Sequence, residues 1–212
     1  MEPLVKLSSI VLPLVRDNID TDAIIPAAYL RSLATDPATG LFARWRYRPD
    51  GSDDPSFVLN DHRYAGARVL LSGANFGCGS SRENAVWALQ RYGIRCVIAR
   101  SYSDIFHANC FKNGVLPIVV DAGDHDRLVQ ASRQDVPCTL EIDVAAGTIS
   151  SKDGFNARFS LDARKRTLLM NGTDEIDATL ASSARILAFR EHHRKAKPWL
   201  YRAVPQPVED QR

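Results

Sequence analysis

The sequence predicts an α/β fold built on a mixed, partly parallel sheet. Three observations point there. Between Ala67 and Val120, apolar runs alternate with amphipathic segments in strand–helix–strand–helix–strand order, the pattern of parallel strands joined by crossover helices. Further on, Thr139 to Val144 alternates apolar and polar residues, as a strand with one buried face does. Finally, a 212-residue chain that is 45% hydrophobic can bury roughly 70% of its unfolded surface, so its core needs no disulfide or metal.

The elements follow in order. Leu4 to Val15 is rich in Leu, Val and Ile and reads as one or two strands. Arg16 to Asp22 is a polar turn crowded with carboxylates, and Ala23 to Leu33 contains a short helix after Pro26. Thr35 to Tyr64 is a long irregular excursion, broken by Pro37, Gly40, Pro49, Asp50-Gly51 and Pro55. A loop this long in a compact domain is functional or lies at an interface. Ala67 to Ser72 is a strand, Gly73 to Gly79 a glycine-rich loop, and a helix begins at Ser80. There Ser80-Ser81-Arg82-Glu83 matches a capping box, and Gly93 is a C-terminal stop. Arg95 to Ala99, Ser103 to Lys112 and Val115 to Val120 are strand, helix and strand, with Pro117 placing the last at an edge or a bend. A helix over Asp124 to Gln134 follows. Phe155 to Leu161 is the partner expected for Thr139 to Val144. Asp162 to Met170 and Ala178 to Lys195 are the closing helices. With no internal repeat and no clear linker, the organisation is one domain over residues 1–200 and a loose tail over 201–212.

Composition excludes several classes. A net charge of +2 gives no bulk electrostatic case for nucleic acid or an anionic membrane. The small cluster Arg44-Trp45-Arg46-Tyr47-Arg48 interleaves cations with aromatics, but in a near-neutral chain it reads as a solvated or subunit-facing loop. The apolar run Ile10 to Val15 is too short to span a membrane, and Met1 to Lys6 does not open a secretion signal, so a cytoplasmic protein is expected. Cys78, Cys96, Cys110 and Cys138 form no C-x-x-C pair, so neither a metal nor an iron–sulfur cluster is expected to be bound by this chain.

The glycine loop is the chemical feature. A strand, then glycines, then a helix start makes an anion site from unpaired backbone N–H groups, and Arg82 adds a guanidinium suited to a carboxylate. The third glycine of the dinucleotide fingerprint is missing, and so is the lysine of a P-loop. Ser80 has two readings: a helix cap contributing about 1 kcal/mol, or an alkoxide stabilised by nearby N–H groups and a cation. Cys78 is a rival nucleophile if the same dipole lowers its pKa.

Three segments then point to a family. Asp17-Asn18-Ile19-Asp20-Thr21-Asp22-Ala23-Ile24-Ile25-Pro26, Asn75-Phe76-Gly77-Cys78-Gly79-Ser80-Ser81-Arg82-Glu83 and Asn109 to Pro117 together closely resemble the 3-isopropylmalate dehydratase (isopropylmalate isomerase) small subunits. Leu41 to Asn60 also looks like the bacterial form. The resemblance covers about Leu12 to Phe189. It implies an aconitase-type swivelling β/β/α domain in a heteromeric hydro-lyase of leucine biosynthesis. The expected partner is a large subunit carrying a [4Fe-4S] cluster, and the expected substrate is a small hydroxy acid. By the same resemblance Ser80 is the general base and Arg82 binds a substrate carboxylate and steadies the alkoxide. Gly79 and Ser81 supply oxyanion donors, Asp22 is a supporting acid, and Thr21 shares its motif at the substrate site. Tyr29-Leu30-Arg31-Ser32 resembles the loop that senses the distinguishing part of the substrate, so Arg31 is a candidate contact; its bland reading is an exposed helix arginine. Asp22 has its own bland reading as a cap or turn residue. Asn84 stands where the family has His, and Ala27 where it has Lys. Both departures fit a paralogue acting on another hydroxy acid, and a non-catalytic anion-binding subunit is the further alternative.

Overall fold

In the computed structural model, residues 1–30 and 36–201 are described. They fall into two compact units, Met1–Thr173 and the segment from Asp174 onward.

The first unit is built on one seven-stranded sheet. Strands β1 (Lys6–Leu14), β2 (Val69–Ser72), β3 (Cys96–Ala99) and β4 (Leu116–Val119) form its parallel half, and β5 (Thr139–Asp143), β6 (Thr148–Ser151) and β7 (Asn156–Arg158) its antiparallel half. The order is β4-β3-β2-β1-β5-β6-β7, so β1 joins the two halves. Its first residues pair with β5 and its last with β2. This division explains how Pro13 sits in a central strand. The Val11 N–H donates toward β5, to Cys138 O at 2.9 Å. Pro13, two residues on, therefore turns its donor-less nitrogen to the same side, past the end of β5. Pro117 is on the edge strand β4; its neighbour Leu116 donates to Arg95 O on the β3 side at 2.8 Å, so Pro117 faces the free edge.

Helices cover both faces. Two are short, α1 (Thr21–Ile24) and α2 (Ala43–Arg46). The others of this unit are α3 (Glu83–Tyr92), α4 (Asp104–Lys112), α5 (Ala122–Ser132) and α6 (Ala163–Asn171). Helix α3 buries Ala85, Val86, Ala88 and Leu89 against Leu12, Leu70 and Val97. On the other face Leu128 of α5 and Leu169 of α6 pack with Val69, Ile98, Leu140 and Ile149. The excursion between α1 and β2 is held by aromatic packing: Trp45 stacks on Phe42 at 5.8 Å, with the Arg16 guanidinium 4.6 Å above Trp45. Arg46 lies over Tyr47 and Tyr92 and donates to Asn60 Oδ1 at 3.2 Å. Three members of the Arg44-to-Arg48 cluster, Trp45, Arg46 and Tyr47, are thus committed to packing.

Three expectations need correcting. The helix after the glycine loop starts at Glu83, not Ser80; Arg82 is its cap, in an extended conformation and without a side-chain cap bond. The second antiparallel partner is Thr148–Ser151: β6 lies between β5 and β7, so Asn156–Arg158 pairs with β6 and not with Thr139–Asp143. The segment expected as one helix over 178–195 is two, α7 (Glu175–Leu180) and α8 (Ser183–Ala196). They make up the second unit with a turn of 3-10 helix over Pro198–Tyr201. The break falls at Ala181-Ser182, across which the Ser183 hydroxyl donates back to Leu180 O and competes with the backbone ladder. The expected loose tail lies almost wholly outside the described residues.

Candidate active site

The site is assembled at the carboxyl ends of the parallel strands, from the turn after β1 and the loop after β2. The two are zipped together by backbone and side-chain bonds. Asn18 N–H donates to Ala74 O at 2.8 Å, Gly77 N–H to Ile19 O at 2.8 Å and Thr21 N–H to Cys78 O at 2.9 Å. Asp17 Oδ1 accepts from Ala74 N–H at 2.6 Å, and Asn75 Nδ2 donates to Asn18 Oδ1 at 2.9 Å. Asn18 and Asn75 both adopt φ of 56°, a left-handed conformation that Asn tolerates better than most residues.

Gly77 is fixed by two constraints. Its φ is +74°, and a Cβ there would lie 2.1 Å from Phe106 Cγ. That contact seats the loop on the first turn of α4, where Ser103 Oγ donates to Gly77 O at 2.6 Å. Gly79 has φ of +84°, but its nearest neighbour would be Asp20 Cβ at 3.4 Å, so backbone conformation alone selects glycine there.

The chain then passes through Ser80 and Ser81, both exposed. Thr21 Oγ1 donates to Ser80 O at 2.8 Å and holds that peptide from the far side of the loop. Arg82 Nη1 donates to Asp22 Oδ1 at 2.5 Å, a short charge-assisted bond between partly exposed groups. These two contacts, made by residues about sixty positions earlier, account for the late start of α3. They keep residues 80–82 out of the helix, with Arg82 itself extended and turned toward α1. Ser80 consequently caps nothing, which removes its purely structural reading. No acceptor for the N–H groups of Gly79, Ser80 or Ser81 exists among the described residues. These unpaired N–H groups belong to the loop and not to the helix N-terminus.

Thr21, Gly79, Ser81 and Arg82 line one side of a cleft of ≈ 260 Å³, and Ser103, Asp104, Ile105 and Phe106 line the other. Ser80 stands at the exposed rim. Asp22, whose alternative was a turn or cap role, instead pairs with Arg82; the cap of α1 is Asp20, whose side chain accepts from Ala23 N–H at 2.6 Å. Arg31 lies outside the described residues. Ala27 is exposed in the 3-10 turn Ala27–Leu30, and Asn84 is half-buried at the second position of α3. Four lining residues went unnoticed in the sequence. Ser103, Asp104, Ile105 and Phe106 sit more than twenty residues after the glycine loop, and the seating of Gly77 on Phe106 brings them in.

The cysteines are placed otherwise than a nucleophile or a cluster would require. Burial and, next, the Asp20 carboxylate raise the Cys78 thiol above its ordinary pKa, against the lowering that a catalytic role would need. Cys96, Cys110 and Cys138 are buried, and burial raises each of them. Among the described residues no three His, Cys, Asp or Glu side chains converge as a metal site. These thiols do not fit an iron–sulfur cluster.

Fold and loop together define the class. The sequence matches the aconitase C-terminal domain family over residues 1–123, the stretch that contains the parallel half and the whole of the site. A 3-isopropylmalate dehydratase small subunit of Sinorhizobium fredii is 48% identical over 200 residues, covering 94% of this chain and all of its own. That of Azorhizobium caulinodans is 45% identical over 201 residues with the same coverage. The crystal structure of the 3-isopropylmalate dehydratase protein of Methanocaldococcus jannaschii superposes with a TM-score of 0.60 at 27% identity, covering 88% of this chain and 99% of its own. The chain belongs to the 3-isopropylmalate dehydratase small subunits, a hydro-lyase family of the aconitase superfamily.

Proposed function

We propose that this chain supplies the proton-transferring half of a hydro-lyase that interconverts 2-isopropylmalate and 3-isopropylmalate in leucine biosynthesis, with Ser80 as general base. The observation that carries this reading is the exposed Ser80 set among three unpaired backbone N–H groups beside the Asp22–Arg82 pair. A serine hydroxyl holds its proton far too tightly to act as a base in water. Preorganised N–H donors and a guanidinium lower the cost of the alkoxide, because they stabilise negative charge without having to reorient.

In the reaction Arg82 grips a substrate carboxylate. One N–H is committed to Asp22, and the rest of its planar fork is left for a ligand. Asp22 is a positioning residue that fixes the guanidinium plane. Ser80 Oγ takes the proton from the carbon next to the held carboxylate and returns it at the neighbouring carbon when water is added back. Thr21 keeps the Ser80 peptide in place throughout.

The cluster-bearing large subunit is the partner that a small subunit implies. A [4Fe-4S] cluster on that partner would supply Lewis-acid chemistry at the departing hydroxyl. The described helices include none long and apolar enough to cross a membrane, which accords with a cytoplasmic complex.

The test is Ser80→Ala in the complex assembled with its large subunit. Turnover should fall by about 10²–10⁴-fold, while thermal unfolding of the isolated chain stays unchanged. Full turnover by the variant would remove Ser80 from the mechanism.

A further inference from the structure

One buried titratable side chain is not used by the mechanism above. His125 of α5 is only 4% exposed, and its Nε2 lies 2.7 Å from Ser72 O. A carbonyl only accepts, so Nε2 carries the hydrogen and donates it. Nδ1 is then left buried with no hydrogen-bond partner among the described residues; the Asp126 carboxylate stands 3.8 Å off, beyond bonding reach. A buried polar atom without a partner costs stability, and an aliphatic side chain of similar size would avoid that cost. The imidazole thus serves something other than filling space, and its one bond shows where. Ser72 is the buried last residue of β2, and the glycine loop starts at the next residue. This root is gripped from both neighbouring strands. Gly73 N–H donates to Arg16 O at 3.0 Å, after β1, and Gly73 O accepts from Arg100 N–H at 3.2 Å, after β3. The other side chains that bond residues 73–80 among the described residues, Asp17, Asn18, Thr21, Ser101 and Ser103, also come from the segments after β1 and β3. His125 alone reaches the loop root from α5.

We propose that His125 is a positioning residue: its bond to the Ser72 carbonyl fixes the tilt of the glycine loop at its root, and with it the place of Ser80 Oγ. The inference rests on the reading of Ser80 as general base given above. The grips from β1 and β3 lie along the sheet and leave rotation of the Ser72 peptide out of the sheet plane to the contact with α5. Ser80 stands at the exposed far end of the loop, where a small rotation at the root becomes a displacement of the reacting oxygen. Arg82 is oriented separately, by Asp22, so a substrate carboxylate is still gripped when the root is loosened. Loss of the His125 bond therefore acts on the chemical step and spares binding.

The experiment compares His125→Gln, which keeps an N–H donor near the Nε2 position, with His125→Leu, which fills the space and has none. In the complex with the large subunit, assembled anaerobically, His125→Leu should lower kcat for 3-isopropylmalate by about 10–100-fold, the scale of a small misplacement of a reacting group. KM should stay within about twofold, and His125→Gln should keep kcat within about threefold of wild type. In the full chain alone, hydrogen exchange at the Gly77 and Thr21 amides, which tie the loop to the turn after β1, should be about tenfold faster in His125→Leu and unchanged in His125→Gln. The melting temperature of His125→Leu should not fall, because the substitution removes the unpartnered nitrogen. Wild-type kcat in His125→Leu, equal losses in both variants, or a loss without faster exchange would overturn the proposal. So would a destabilised or unfolded His125→Leu, since the ring would then serve packing. Turnover that survives Ser80→Ala would instead overturn the reading of the base, and the exchange rates would still report on the anchor, so the two failures are separable.

Discussion

In the proposed mechanism four side chains and three peptide N–H groups act together, and what makes them a unit is pairing across about sixty residues of sequence. Asp22 and Arg82 are the clearest case. Neither is fully buried, with side-chain exposures of 38% and 23%, so their pair contributes little to folding. Its value is orientation. Asp22→Asn keeps the shape of the side chain and removes its charge. The variant should lose about 10–100-fold in kcat/KM, the equivalent of one charge-assisted hydrogen bond. Its melting temperature should move by no more than about 4 °C. A steady-state assay with a parallel melting curve checks both; a large stability loss with normal kinetics would show that the pair is structural. Sequence alone left Ser80 divided between cap and base. The structure removes the cap, because Thr21 and Asp22 hold residues 80–82 out of the helix. Nothing within the local Ser-Ser-Arg-Glu pattern contains that information.

At the scale of the element, the glycine loop shows how two similar residues do different work. Gly77→Ala must accept both left-handed strain, about 1–2 kcal/mol, and overpacking against Phe106, about 1–3 kcal/mol. Gly79→Ala meets only the strain, since the nearest atom stands at contact distance. Denaturant unfolding of the two variants should therefore give a loss for Gly77→Ala larger by at least about 1 kcal/mol; equal losses would mean that Phe106 yields easily. The parallel half of the sheet was legible because its strands are apolar runs bounded by Gly and Asn, and Pro117 marked the edge correctly. Strand β6 was not. Thr-Ile-Ser-Ser has a single large apolar residue, Ile149, and too little alternation to announce a strand. The division of the last helix was equally hidden, because Ser182 and Ser183 are unremarkable within a helical pattern until a hydroxyl bonds back to a carbonyl.

At the scale of the whole molecule, the architecture puts its reactive loop at the surface. The sheet and both cores lie behind the loop, Ser80 is exposed, and the described residues form a cleft that is partly open to solvent. This arrangement fits the proposal that a second chain completes the site. The family motifs made that expectation readable from the sequence, since they occur together with cysteines that form no C-x-x-C pair. The α4 side of the cleft could only be read from the fold.

The most direct test of the central claim is an anaerobic turnover assay with 3-isopropylmalate on this chain alone, on its cluster-loaded large subunit alone, and on the two combined. Activity should appear only in the mixture, should saturate as the two chains reach equivalence, and should be lost when this chain carries Ser80→Ala. Undiminished turnover by the large subunit alone, or by the mixture with Ser80→Ala, would contradict the account that this chain brings the base to a shared active site.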